Sequence, residues 1–241
     1  GVSREQADAV ALLSQQRADQ ARCLGYYKSI IPIYNAVKGI TLREDECIRG
    51  NTTLDSLAAL PAAFAELGNA GVDALQLAAQ RQLSEIDHIH TAGNSPAMAD
   101  AAALLLLGDE DVGVRLRVKP RARIVAAATA SGDPLQVLTG CVDATRKLMD
   151  RQGLTVNEVD LFELHEAFAA TVVKCQQDLG ISMDKLNVNG GVIALGHPMG
   201  ATGAIMAGTL IDELERRDQR LGIVAASGAA GSGSALLIER F

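Results

Sequence analysis

Beyond Asn94 short apolar runs alternate with helix-length segments, and this alternation restricts the fold more than any other property of the chain. The residues read as a helix over 97–107, a strand over 121–129, a helix over 139–151, a strand over 158–164 and a helix over 166–179. A glycine-rich passage over 187–196, a helix over 200–217 and strands over 221–227 and 233–239 follow. Such a series forms a layered α/β domain with parallel strand pairs and right-handed crossovers, because each helix must bury its apolar stripe on a sheet face. The last two strands are expected to form an antiparallel edge pair. Upstream the texture is looser. A helix runs from Ser3 to about Arg22, opened by a Ser3–Gln6 capping box as though the chain were entered midway through a fold. Short strands at 30–34 and 39–42, helices at 53–64 and 72–82 and an extended segment at 86–91 follow. Long irregular connections mark this first part as a cap or insertion, and the boundary is placed near residue 96.

Charge excludes one large class of partner. The 241 residues carry 22 basic and 29 acidic side chains, a net of −7, with no basic cluster of the kind a phosphate backbone requires, so nucleic acid is not an expected partner. Cys23, Cys47, Cys141 and Cys175 form no CxxC pair and have no histidine at ligand spacing, which predicts free thiols in a reducing compartment and no metal site. No signal peptide, transit character or membrane-length apolar run is visible, so a soluble cytoplasmic protein is expected. Gly196, Gly200 and Gly203 do not fit GxGxxG, Gly228–Gly233 precedes a strand rather than a helix, and no GxxxxGK[ST] occurs. Neither nicotinamide nor nucleoside triphosphate is implied as a cofactor.

Two histidines carry the chemistry. Asn187–Ala204 reads NVNGGVIALGHPMGATGA, and Pro198 suits a helix's first turn, so His197 should stand just ahead of free N–H groups that keep an imidazole neutral. A neutral His there can donate to a developing oxyanion, although a tight turn with an incidental histidine has the same spacing. His165 ends the apolar run DLFEL and should open the next helix, as a cap or as a second polar group beside the first. His88 and His90 alternate on an extended segment and read as surface residues.

That glycine-rich string resembles the glycine-histidine-proline signature of the thiolases. GVSREQADAVALLSQQRA (1–18), DECIRGNTTLDSLAALPAAF (45–64), TAGNSPAMADAAALLL (91–106) and HEAFAA (165–170) resemble further segments of that family, across nearly the whole chain. The resemblance implies a thiolase fold, with a layered α-β-α carboxy-terminal domain and mixed sheet over 97–241. An irregular α+β loop domain contacting coenzyme A would span 1–96, and the family's amino-terminal domain is expected to be absent. It further implies an acyltransferase of 3-ketoacyl-CoA and acetyl-CoA in fatty-acid or sterol side-chain metabolism, paired as a dimer or tetramer. The coenzyme A thioester is its substrate, and no separate cofactor is implied. In the family His197 would form the oxyanion hole and His165 would orient a water or substrate oxygen. Coenzyme and substrate contacts would fall on Arg49, Ser56, Leu60, Phe64, Ala92, Ser95, Phe168 and Ala229.

Three departures accompany the match. The family's nucleophilic cysteine belongs to the domain expected to be absent, so this chain alone is expected to be catalytically incomplete. The second family cysteine, an acid–base group, should lie twelve residues before Glu239, where Ser227 stands; a hydroxyl is far from ionised near pH 7, and a plain turn residue fits equally. Pro96 replaces a pantetheine-contacting serine, and the stretch from Glu66 to His90 is longer than in compact relatives. These departures leave room for an alternative, a non-catalytic thiolase-like protein that binds acyl-CoA or a partner.

Overall fold

A computed structural model describes residues 1–241. The first element, α1 (Arg4–Cys23), begins as expected: Ser3 Oγ accepts the Gln6 N–H and the Gln6 side chain accepts the Ser3 N–H. A small hairpin of β1 (Ile33–Asn35) and β2 (Ile40–Leu42) precedes the short helices α2 (Leu54–Ala58), α3 (Ala65–Leu67), α4 (Asp73–Ala79) and α5 (Glu110–Leu116). The layered part consists of β3 (Ala122–Ser131), α6 (Gly140–Gln152), β4 (Leu161–Leu164), α7 (Ala169–Leu179), α8 (Val192–Leu195), α9 (Thr202–Arg217), β5 (Leu221–Ser227) and β6 (Ser232–Arg240). No helix is long and apolar enough to cross a membrane.

One mixed sheet, ordered β3-β6-β5-β4, divides the core. Only β4 and β5 run parallel; β6 is antiparallel to both of its neighbours. Side chains alternate across it as the two-residue period requires. Phe162, Leu164, Ile223, Ala225, Ala235 and Leu237 face α6 and α7, where they meet Leu148, Val172 and Leu179. Leu161, Val224 and Ile238 face α9 and pack on Met206, Leu210 and Leu214. The result is the expected α-β-α layering. Burying a leucine such as Leu210 contributes about 1.5–3 kcal/mol. A third cluster joins α1 to α7 and α8 through Ala7, Ala11, Ala169 and Ile193.

The amino end of α6 is pressed onto the β5–β6 turn. A Cβ on Gly233 would lie 2.0 Å from the Gly140 carbonyl oxygen, and one on Gly140 2.2 Å from that of Ser232. Only two glycines permit this contact, which brings Cys141 against the end of β5.

Several expectations are corrected. The β5–β6 pair is antiparallel but central, because β3 pairs along β6 and takes the edge. No helix forms over 97–107; Met98 bridges to His197, and the run stays irregular with Leu104–Leu107 exposed. An all-apolar run has no polar face to distinguish a helix from an extended segment. The helix expected over 53–64 stops at Ala58, before Pro61, whose ring disfavours helical backbone at Leu60. The segment 86–91 is not paired as a strand. The helix expected over 166–179 starts at Ala169 rather than at 166, which leaves His165 on a loop.

Candidate active site

Three loops meet at the ends of the sheet, and each carries part of the site. His165 directly follows β4, and its N–H donates to the Ala225 carbonyl at 2.9 Å, extending the parallel ladder by one residue. Its ring is 5% exposed, and neither nitrogen has a partner. Burial, then the neighbouring His197, holds its pKa down to about 4, against a smaller upward pull from the Ser227 backbone. His197 comes from the glycine-rich passage. Its N–H donates to Ala97 O at 2.8 Å and its carbonyl accepts from Ala99, so backbone pairing fixes it to the 91–99 loop. Gly196 precedes it with φ +87, and a Cβ there would lie 2.7 Å from that of Ala99.

The expected position of His197 at a helix start is only approximate. A turn over Met199–Ala201 intervenes, and α9 begins at Thr202, whose hydroxyl lies 2.8 Å from His197 Nδ1. A Thr202 hydroxyl donating to Nδ1 places the ring proton on Nε2, the tautomer an oxyanion donor needs. Burial holds His197 below its ordinary range as well. The two imidazoles come together, with ring centroids 4.6 Å apart and planes tilted by 46°. Both are neutral at pH 7, so both offer an N–H without a cation's desolvation penalty.

Buried polar residues below this pair fix the loops. Glu166 accepts from Ser14 Oγ at 2.8 Å, Asn187 Nδ2 at 3.0 Å and the Ile193 N–H at 3.1 Å. Asn187 also bridges both backbone groups of Leu164. Asn94 binds Asp8, the Ile89 carbonyl and the Thr91 N–H, while its own carbonyl accepts from Ala169. Thus α1, the 91–99 loop, the 165–168 loop and the glycine-rich passage form one bonded unit.

The sequence-derived binding residues divide into two groups. Phe64 and Phe168 meet edge to face at 5.7 Å, and Leu60 packs over Gly93 beside Ala92. Ser95 lies on the same loop with its hydroxyl buried and unpartnered. Arg49 and Ser56 lie outside this apolar wall, on the surface. The Arg49 N–H is bonded to Gln15, whereas Ser56 spends its hydroxyl capping α2 through Thr53. A cleft of about 320 Å³ is lined by Leu12, Gln16 and Thr52–Asp55. Ala229 is exposed in the turn after β5. Ser227 closes β5 and is 8% exposed, its Oγ accepting the Cys141 N–H at 3.0 Å.

His90 was missed by sequence reasoning. It is half-buried rather than a surface residue, 4.8 Å from the Phe168 ring and 6.3 Å from that of Phe64, with Nε2 unpartnered. Its position directly before TAGN was the available signal. His88 instead pairs with Asp73 at 2.9 Å. Six buried side-chain polar atoms lack partners, and four of them are on His90, Ser95 and His165. Such groups are costly unless a ligand completes them, so their concentration marks a binding site.

Two family models match the chain. The model of the thiolase C-terminal domain matches residues 118–240, and that of the thiolase N-terminal domain matches residues 1–111. The second match overturns the expected absence of that domain. The chain is 39% identical over 247 residues to a 3-ketoacyl-CoA thiolase of Aliivibrio fischeri, and the match spans all of this chain and 59% of that protein. It is 40% identical over 243 residues to an acetyl-CoA acetyltransferase of Synechocystis, spanning 100% and 56%. Among solved structures, the acetyl-CoA acetyltransferase of Bacillus anthracis superposes with TM-score 0.85 at 33% identity, over 100% of this chain and 57% of that one. Human mitochondrial 3-ketoacyl-CoA thiolase in complex with CoA gives 0.82 at 32%, over 100% and 55%. The chain therefore spans well under two thirds of the length of these relatives.

Proposed function

The chain belongs to the thiolase family, and from that premise we propose that it supplies the enolate-stabilising part of an acyltransferase acting on 3-ketoacyl-CoA and acetyl-CoA. The observation that carries the reading is the neutral His165–His197 pair, 4.6 Å apart, with His165 unpartnered and His197 oriented by Thr202. Carbon–carbon bond formation or cleavage next to a thioester passes through an enolate, and two fixed neutral donors at its oxygen lower that barrier. His197 donates from Nε2, while His165 orients the substrate oxygen or a water. The wall of Leu60, Phe64 and Phe168 suits the pantetheine arm, and the exposed Arg49 suits a phosphate. Fatty-acid or sterol side-chain metabolism is the setting proposed for such substrates.

The acyl-carrying thiol is not among the groups at the histidines. Cys141 and Cys175 are buried in the main core, Cys23 is exposed at the end of α1, and Cys47 packs against Gly196 with no bond to either imidazole. Complete turnover by these 241 residues alone is accordingly not expected. Ser227, already engaged by the Cys141 amide, favours the second reading of a non-catalytic acyl-CoA binder.

One experiment separates the two. Enolisation needs no acyl-carrying thiol, so exchange of acetyl-CoA methyl protons in deuterium oxide, followed by NMR, reads this half-reaction directly. Exchange that is lost in His197→Ala supports the acyltransferase. Binding without exchange supports the binder, and absence of both refutes the coenzyme A reading.

A further inference from the structure

One polar group interrupts the aromatic wall given to the pantetheine arm by the acyltransferase reading, on which this inference rests. The His90 ring lies 4.8 Å from that of Phe168 and 6.3 Å from that of Phe64, while Phe64 and Phe168 are 5.7 Å apart, all between centroids. Backbone bonds fix this triangle. The His90 carbonyl accepts the Ala63 N–H at 2.8 Å, which ties it to the segment bearing Phe64, and the Asn94 carbonyl accepts the Ala169 N–H at 3.1 Å, directly after Phe168. Asn94 Nδ2 also holds the carbonyl of Ile89, next to His90 in the chain, at 3.0 Å. The imidazole is thus placed by backbone, and its Nε2 is left buried without a partner. Ser95 Oγ, on the same loop, is buried without one as well. A buried orphan is costly, whereas an apolar residue of similar shape would avoid the cost.

The surroundings restrict what can complete this nitrogen. Burial holds the His90 ring below its ordinary range, so it is neutral at pH 7. Between two phenyl rings a phosphate would lose its hydration without gaining an opposing charge. The thioester oxygen belongs, in the same reading, to His165 and His197. An uncharged group that carries both a donor and an acceptor fits whichever tautomer the ring adopts. The amides of the pantetheine arm are such groups.

We infer that His90 is a binding residue for coenzyme A, its Nε2 hydrogen-bonding an amide of the pantetheine arm while Phe64 and Phe168 pack on the arm's methylenes. Phe64 is 38% exposed and heads the three-residue α3, so its ring has room to turn aside as the arm reaches Nε2.

Calorimetric titration of the full chain with coenzyme A, acetyl-CoA and adenosine bisphosphate, which lacks the arm, tests this. His90→Phe keeps a ring in the triangle and removes the nitrogen. It should weaken coenzyme A and acetyl-CoA alike, by about 3- to 10-fold as for one hydrogen bond, and leave adenosine bisphosphate within about 2-fold. His90→Leu gives the same comparison where the larger ring does not fit. His90→Gln, which returns a polar group near the Nε2 position, should recover coenzyme A affinity to within about 2-fold of the native chain. Unchanged coenzyme A affinity in both His90→Phe and His90→Leu would overturn the inference. An equal loss for adenosine bisphosphate would overturn it by showing a structural role, and a loss confined to acetyl-CoA would overturn it by moving His90 to the acyl chain. A native chain that binds none of the three ligands would instead refute the coenzyme A reading, and the inference with it.

Discussion

Acidification should unfold this protein partly through His165. Its ring titrates near 4 in the folded chain, against an ordinary value of 6.5. Above pH 6.5 the ring is neutral in both states and contributes no pH dependence. Between 6.5 and 4 the unfolded chain binds a proton that the folded chain refuses, so stability falls as pH falls. From pH 7 to pH 5 the loss is about 2 kcal/mol, and below pH 4 it approaches about 3 kcal/mol, from about 1.4 kcal/mol per unit. Other buried groups add their own dependence. Glu163 and Glu166 are pushed up by burial and act in the opposite sense, while His90 and His197 are lowered and act in the same sense. His165→Asn removes one titration and leaves the rest. Urea unfolding of both proteins at pH 7 and pH 5 should give a difference of differences of about 2 kcal/mol, the native chain losing more. Equal losses would refute the assignment of a buried, unprotonated ring.

Four further outcomes are expected. His197→Ala should slow acetyl-CoA proton exchange by about 10²- to 10³-fold with the circular dichroism unchanged; an unchanged rate would return His197 to a turn residue. Arg49→Ala should weaken coenzyme A binding about 5- to 10-fold by calorimetry, most strongly at low salt, because one exposed phosphate contact is lost. Gly233→Ala should destabilise by about 2 kcal/mol or more in urea, since the new methyl meets the Gly140 carbonyl at 2.0 Å. The chain alone should not thiolyse acetoacetyl-CoA, and turnover abolished by alkylating one of its four cysteines would contradict this.

Local signals were legible where one physical rule decides the structure. The Ser3–Gln6 cap, the short apolar run of β5 and the turn chemistry around Gly196 need no distant partner to be read. Failures occur where a tertiary contact outweighs local preference. The leucines at 104–107 carry helix propensity, yet Met98 is tied to His197 and the following run does not form a helix. The sequence places His165 directly before a helix starting at 166, because it does not reveal that the amide of His165 continues the β4–β5 ladder and that the helix waits until Ala169. The convergence of His165 with His197 was expected from the family resemblance, whereas the aromatic surroundings of His90 were not. The contact between Cys141 and Ser227 spans 86 residues and is made possible by Gly140 and Gly233, positions with no recognisable motif.

The organisation of the site explains why its donors remain available. A side chain that must be held still is usually held by its own polar atoms, but His165 makes no side-chain hydrogen bond and His197 makes one. Their positions are set by backbone: His165 by the Ala225 carbonyl, His197 by Ala97 and Ala99. Those backbones are fixed in turn by Glu166, Asn187 and Asn94, each satisfied by several partners out of solvent. A buried carboxylate with three donors is stable only while all three remain, since loss of one leaves a charge or acceptor exposed to an apolar interior. The rigidity required by an oxyanion site therefore resides in the polar node beneath it. The imidazole nitrogens above can stay unsatisfied in the free protein and be completed by the ligand.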